Sequence, residues 1–281
     1  MKKMRKLIPA LAMLLVSAVM MSTASFAWFS MSTTATATGM QVQAKADAGI
    51  LISNGTSAWA SSAASDQTAV AKLLPVSTKD ATNWYVSTSS AANDAMENEA
   101  YADYEIKTAT NALTDGHYLY NDFYIKSSSN EALTKDIQVS NISISADSTT
   151  NEALDLNKAL RVLVKCKDKV YIYATTDVSY EVFKTAHTTK TEEVGGETVV
   201  TPVPNQFESV AATAEGAKTD TFGLTSIPNI DAVYPDGDDD TTDAIKVEVY
   251  VYFEGEDTNC KSTNLAAAVA TLTVDITFKA A

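Results

Sequence analysis

The chain has 281 residues and a formal net charge of −14, with 21 Lys and Arg against 35 Asp and Glu. Its arginines are Arg5 and Arg161, so the clustered cations that neutralise phosphates in nucleic-acid binders are missing, and unaided adhesion to an anionic membrane surface is disfavoured for the same reason. The length allows one large β domain or two small ones with a real core, and two cysteines do not make a disulfide-rich framework.

Residues 1–27 have the three parts of an export signal: a basic stretch with Lys2, Lys3, Arg5 and Lys6, an apolar run over 7–21, and Ser25-Phe26-Ala27 as the cleavage site. The apolar run is about 15 residues, short of the roughly 20 that a spanning helix needs. Cleavage between Ala27 and Trp28 by a signal peptidase is therefore the expectation. An uncleaved anchor is the alternative, because Phe26, Trp28 and Phe29 are aromatics of the kind that settle at a membrane interface. Cleavage removes those four positive charges and takes the net charge from −14 to −18. The membrane is expected as a partner only through this segment before cleavage. No Leu-Pro-x-Thr-Gly sorting motif or apolar tail marks the far end, so retention at a surface is expected from assembly or from the N-terminus.

Residues 28–46 read as an extended N-terminal arm running into a first strand. Trp28 and Phe29 head a Thr-rich, β-prone segment, and Met40 and Val42 carry its apolar side chains. Such an arm is costly to leave in water. It can fold back onto its own sandwich, lie along a membrane, or complete a neighbour's sheet by strand addition. The first is favoured for an isolated molecule, while head-to-tail exchange would give open filaments.

The β-sandwich domain is expected over 47–281. Period-two alternation marks a half-buried strand at 245–253, where Ile245, Val247, Val249, Val251 and Phe253 share one parity, and another at 271–280, where Leu272, Val274, Ile276 and Phe278 do. The two are expected as a long hairpin or as neighbouring strands. Further strands are expected at 40–46, 49–53, 84–87, 117–126, 137–145, 160–166, 170–174 and 180–183. The apolar parity changes inside 137–145, which predicts a bulge or a crossing between sheets. Lys167-Asp168-Lys169 predicts a tight hairpin turn. Helix is sparse, with candidates only at 149–158 and in part of 91–104. Many short strands with long polar connections predict an all-β fold, a jelly-roll-like antiparallel β-sandwich with little helix. Residues 54–100, rich in Ser, Ala, Thr and Asn, and 186–244, with its Pro, Gly and Asp, read as long polar loop insertions outside the core.

Few residues point to chemistry. Cys166 and Cys260 can form one bridge, closing a loop of about 95 residues at about 4 kcal/mol in the chain-entropy model, or remain two free thiols. His117 and His187 are the only histidines. Neither belongs to a His-Glu-x-x-His motif, and both read as surface residues. There is no Gly-x-Ser-x-Gly elbow and no phosphate-cradling loop, so an enzyme is not expected. No cofactor is expected either. Asp236, Asp238 and Asp240 offer alternate oxygen ligands to calcium, but a solvated acidic loop is the favoured reading. Tyr250 and Tyr252 stand on the polar face of their strand, either as a contact ladder or, preferably, facing a second sheet.

Ser25-Phe26-Ala27-Trp28-Phe29-Ser30, followed by 33–42 (Thr-Thr-Ala-Thr-Ala-Thr-Gly-Met-Gln-Val), resembles the start of the camelysin/TasA family of exported Gram-positive surface and biofilm-matrix proteins. The signal ends in Ala, an aromatic follows, then a Ser/Thr/Ala tract and a Gly-containing turn into the first strand. Asp122-Phe123-Tyr124-Ile125-Lys126 with Ile137-Gln138-Val139 looks like the family's early pair of strands, and 246–253 with 271–280 is similar to its two C-terminal strands. Trp28-Phe29-Ser30 departs from the acidic residue that many members place after the aromatic. The resemblance implies a specialised signal peptidase, a jelly-roll-like domain and, in the TasA branch, fibres built by donating the N-terminal strand to the next subunit. The camelysin branch implies a metallopeptidase, which the histidines here do not support. The function expected is that of a secreted structural or interaction protein of the cell surface or matrix, self-associating or joining a related subunit. The alternatives are a monomeric adhesin binding a host or glycan ligand through 54–100 and 186–244, and an extracellular peptidase.

Overall fold

The structure is a computed structural model, in which residues 35–36, 40–47, 49–55, 58–65, 72–87, 104–147, 157–175, 184–209, 212–229, 244–255 and 271–281 are described. Strands are numbered in chain order. A six-stranded sheet runs β14 (Thr213–Ala214), β11 (Lys169–Ala174), β10 (Leu160–Cys166), β16 (Ile245–Phe253), β8 (Leu119–Ser127), β3 (Ile50–Ser53). A five-stranded sheet runs β15 (Gly216–Thr221), β9 (Ile137–Asp147), β17 (Thr271–Ala280), β2 (Met40–Ala46), β4 (Ser62–Ala64). Three two-stranded pairs accompany them: β1 (Ala35–Thr36) with β5 (Lys72–Leu73), β6 (Asn83–Ser87) with β7 (Tyr104–Thr108), and β12 (Lys184–Val194) with β13 (Glu197–Ser209).

Alternation dictates how the two large sheets meet. Val247, Val249, Val251 and Phe253 of β16, Val162 and Val164 of β10, and Phe123 and Ile125 of β8 bury one face of the first sheet against Ile142 of β9 and Leu272, Val274, Ile276 and Phe278 of β17. Removing this apolar surface from water, at about 25 cal/mol per Å², is the main force holding the sandwich together. The all-β reading holds. Among the described strands its antiparallel pattern is interrupted where β17 runs parallel to β2 and β11 parallel to β14.

Several local expectations hold as well. Opposite β17, Thr277 pairs with Asn141 and Phe278 with Val139, leaving Ser140 as an extra residue. This is the bulge that the parity change requires, and Ser140 Oγ donates to Thr277 O at 3.1 Å. Cys166 pairs with Lys169 across a two-residue turn in which Lys167 has φ +55°. The strand expected at 180–183 lies outside the described residues, as do 149–156 of the first expected helix, of which residues 157–158 are helical. Of the second expected helix, 91–103 lie outside the described residues and Tyr104 belongs to β7. The helix of the described residues that alternation did not reveal is α1 (Ala109–Thr114), capped by the Thr108 side chain, which accepts from the Asn111 N–H.

Three expectations are corrected. Strands β16 and β17 are neither a hairpin nor neighbours, because they lie in opposite sheets. An apolar face aimed at a core is compatible with a facing strand as well as an adjacent one, and alternation cannot tell the two apart. The same holds for β8 and β9. Segments 54–100 and 186–244 are not simply loops outside the core. Ala63, Leu73, Val76, Trp84 and Val86 in the first, and Phe222, Leu224 and Ile227 in the second, are buried. Segment 186–244 also holds β13 and most of β12, which pair without a break from Val194↔Glu197 to Thr189↔Pro202 and, past a register shift, from His187↔Phe207 to Lys184↔Ser209. Pro202 and Pro204 are tolerated because a two-stranded ribbon leaves one edge of each strand without a ladder partner.

A third layer covers the outer face of the six-stranded sheet. Trp84 of β6 stacks on Tyr118 with ring centroids 4.1 Å apart and meets Tyr252 edge-on at 5.5 Å and Tyr250 at 5.7 Å. Leu163, Ile172 and Val76 belong to the same second cluster. Tyr250 and Tyr252 therefore face a further β layer, as the preferred reading had it. Arg161, opposite Tyr252 on β10, and Glu254, the residue that follows β16, are both fully buried and share the parity of Tyr252. Arg161 donates to the Lys158 and Leu160 carbonyls at 2.8 and 2.9 Å.

Candidate assembly site

Met40–Ala46 has small, β-tolerant side chains at alternate positions, and its backbone needs partners on both sides. On one side β2 pairs in parallel with β17 from Met40↔Leu272 to Phe278↔Ala46. On the other it pairs antiparallel with β4 through Gln43↔Ala64, Ala44↔Ala63 and Lys45↔Ser62. Ser65 N–H donates to Val42 O at 2.7 Å, and Asp47 N–H to Phe278 O at 2.8 Å, closing both ends of the slot. The inward face is thin. Val42 and Ala44 are buried and Ala46 is partly so, against Leu272, Val274, Ile276 and Phe278 on the neighbouring strand. Burying Val42 is worth about 2 kcal/mol and Ala44 less, so the ladder hydrogen bonds carry much of the specificity of this insertion. Lys45 and Asp275 meet at 3.6 Å on the surface, where such a pair contributes about 0–1 kcal/mol.

The chain leaves the slot abruptly. Asp47 and Gly49 lie in the short turn that takes it from β2 to β3 in the opposite sheet, and Gly49 has φ +98°, a conformation open to glycine and strained for other residues. Before β2, the arm touches the body a second time, where Ala35 pairs with Leu73 and Thr36 with Lys72. Beside β4, Ser65 Oγ donates to Asn121 Oδ1 of β8, a buried polar side chain among the core residues of that strand.

Of the residues singled out in the sequence, Val42 lies in the inter-sheet core and the Met40 backbone pairs with β17. Ala27, Trp28, Phe29, Cys260, Asp236, Asp238 and Asp240 lie outside the described residues. Cys166 is a buried free thiol on the inner face of β10, and burial pushes its pKa up to about 12. Among the described residues no group of three or more His, Cys, Asp or Glu could hold a metal ion. His117 is corrected from a surface residue to a buried one, 2% exposed, because the turn after α1 tucks it beneath Leu74 and Pro75. His187 lies in β12 opposite Phe207. Sequence reasoning missed the two short strands that receive the arm, β4 and β5. Ser62–Ala64 is too short and small to show alternation, and at Lys72–Leu73 the only signal is the apolar pair Leu73-Leu74.

The chain matches no family model, no curated protein and no solved structure.

Proposed function

We propose that this is an exported structural protein of a Gram-positive-type cell surface or matrix, which assembles into fibres by passing its N-terminal strand to a neighbouring copy. The observation that carries the reading is the place of β2, an N-terminal strand held parallel to β17 in a slot between β17 and β4 and joined to the body by a short turn. The same slot on a second copy offers the same ladder and the same pockets. Exchange therefore conserves contacts, and the balance is set by loop closure on one side and protein concentration on the other. The heterologous contact that results does not close on itself and grows into a filament. The resemblance of residues 25–42 to the camelysin/TasA start supports the same reading.

Electron microscopy of the mature chain at rising concentration tests it. Filaments are expected for the intact chain and none after deletion of 28–46. A labelled peptide of residues 28–46, added while the truncated chain refolds, should be captured in the empty slot. A chain that stays monomeric with its arm intact, at high concentration and across pH, overturns the reading in favour of a monomeric adhesin.

A further inference from the structure

The segment that receives the start of the arm is held in place around one imidazole. Lys72 and Leu73 of β5 pair with Thr36 and Ala35. Directly after them, Leu74 N–H donates to Gly116 O at 2.9 Å, Val76 N–H donates to Phe253 O at 3.0 Å, and Gly255 N–H donates to Val76 O at 3.1 Å. Between these anchors the backbone of Leu74 and Pro75 bonds the side chain of His117. Proline has no N–H, so at Pro75 the ring is the donor and the carbonyl accepts. Nδ1 of the same ring is buried and meets no hydrogen-bond partner. The bonded nitrogen is therefore Nε2, and the ring sits there as neutral imidazole with its proton on that atom.

A second proton has no place in this site. It would put an N–H without an acceptor, and a full charge, into a pocket that leaves the residue 2% exposed. The charged groups that face the ring are Lys107 from β7 and Asp115 from the turn after α1. These two are paired with each other at 2.8 Å, so the carboxylate is already engaged by an ammonium.

We propose that His117 is an acid-sensitive latch, whose protonation releases segment 72–76 and with it the strand on which the N-terminal arm lands. For its consequence in assembly the latch rests on the strand-exchange reading above. Burial is the main force holding the imidazole below its ordinary value of 6.5; Lys107 reinforces it, while the Leu74 and Pro75 backbone and Asp115 oppose it. Because the released state binds the proton more readily, the latch is at full strength above about pH 6.5 and weakens as the pH falls toward the depressed folded value.

Amide hydrogen exchange of the mature chain at about pH 7.5 and about pH 5, each corrected for intrinsic rates, reads the latch directly. Protection at Leu74 and Val76 is expected to fall at the lower pH, while Val249 within the core ladder keeps its protection. His117→Gln keeps a donor near the Nε2 position and cannot titrate, so its protection at Leu74 and Val76 should not depend on pH. Unchanged protection in the native chain, or the same loss in the variant, overturns the proposal. If His117→Gln does not fold, the imidazole titration followed by NMR in the native chain decides, and a midpoint at or above 6.5 is the overturning result. Electron microscopy at the same two pH values separates the two ideas. Lost protection without filaments keeps the latch and removes the assembly reading, whereas filaments with flat protection do the reverse.

Discussion

On its inner face the six-stranded sheet presents Val162, Val164, Val249, Val251 and Phe253 to a second sheet, and on its outer face the same strands present Arg161, Leu163, Tyr250 and Tyr252 to the pair β6 and β7 and one short helix. Both faces are dry, but they are held differently. The inner contact is made mostly of Val, Ile and Leu with a few Phe rings among them, and it is spread over many strands. The outer contact depends on ring geometry around Trp84 and on a few directed bonds, such as Tyr118 Oη to Ala109 O at 2.6 Å and Trp84 Nε1 to Ala81 O at 3.3 Å. A layer held in that way opens locally, ahead of the sandwich beneath it.

The largest effect is expected inside. Phe253→Ala empties a site shared by both sheets and should cost about 3–5 kcal/mol, read as a lower urea midpoint with an unchanged slope. A loss below about 1 kcal/mol would mean that the inter-sheet contact is not the main store of stability. Trp84→Ala removes a side chain of similar bulk and should cost about 3 kcal/mol, but locally. Near-ultraviolet circular dichroism should collapse and amides at Tyr118 and Tyr120 should exchange, while those of β17 stay protected. Equal loss at β17 would show one cooperative unit and erase the distinction between the faces.

Alkali tests the burial of the outer rings next. Burial, with Glu248 adding to it, pushes the Tyr118 hydroxyl from an ordinary value of 10 up to about 12, and burial likewise raises Tyr120, Tyr250 and Tyr252. A folded pKa above the unfolded one means that this stabilisation is complete below pH 10 and is lost as the pH rises through about 12. Tyrosinate absorbance should show a late group among the 12 tyrosines. A single transition near 10 would contradict the buried outer layer. Tyr252→Phe is the mildest test. Its hydroxyl reaches Thr78 O at 3.4 Å, and its loss should cost about 1 kcal/mol or less by thermal melt; a cost several times larger would mean the hydroxyl serves Arg161 or Glu254 instead.

The inner face was largely legible in the sequence because alternation at 245–253 and 271–280 is a local signal with a direct cause. The bulge at Ser140 and the turn at Lys167 were legible for the same reason. Which strands pair was not, since β16 and β17 satisfy the same pattern from opposite sheets. The outer layer was less legible still. Trp84 and Tyr250 meet only through the fold, and Ser/Ala/Thr-rich composition around Leu73 and Trp84 conceals residues that are buried completely. Of the candidate assembly site, the apolar face of β2 could be read from Val42 and Ala44, but β4 and β5, which pair with β2 and β1, could not, because two or three residues carry no periodicity. The burial of His117 had no sequence signal at all, for it depends on how α1 sets the turn at Asp115 and Gly116.

The parallel pair Met40↔Leu272 joins the first long strand of the described chain to the last. Contacts so distant in sequence are slow to find, and all-β domains dominated by them fold on the order of milliseconds to seconds. The position beside β17 can be filled only once β17 is in place, and β4 joins the five-stranded sheet through β2. Until then each folding molecule displays an unfilled groove and an unplaced strand at the same time. Under the strand exchange proposed above, crowding of chains at that moment, more than the equilibrium between finished molecules, decides whose strand each groove receives.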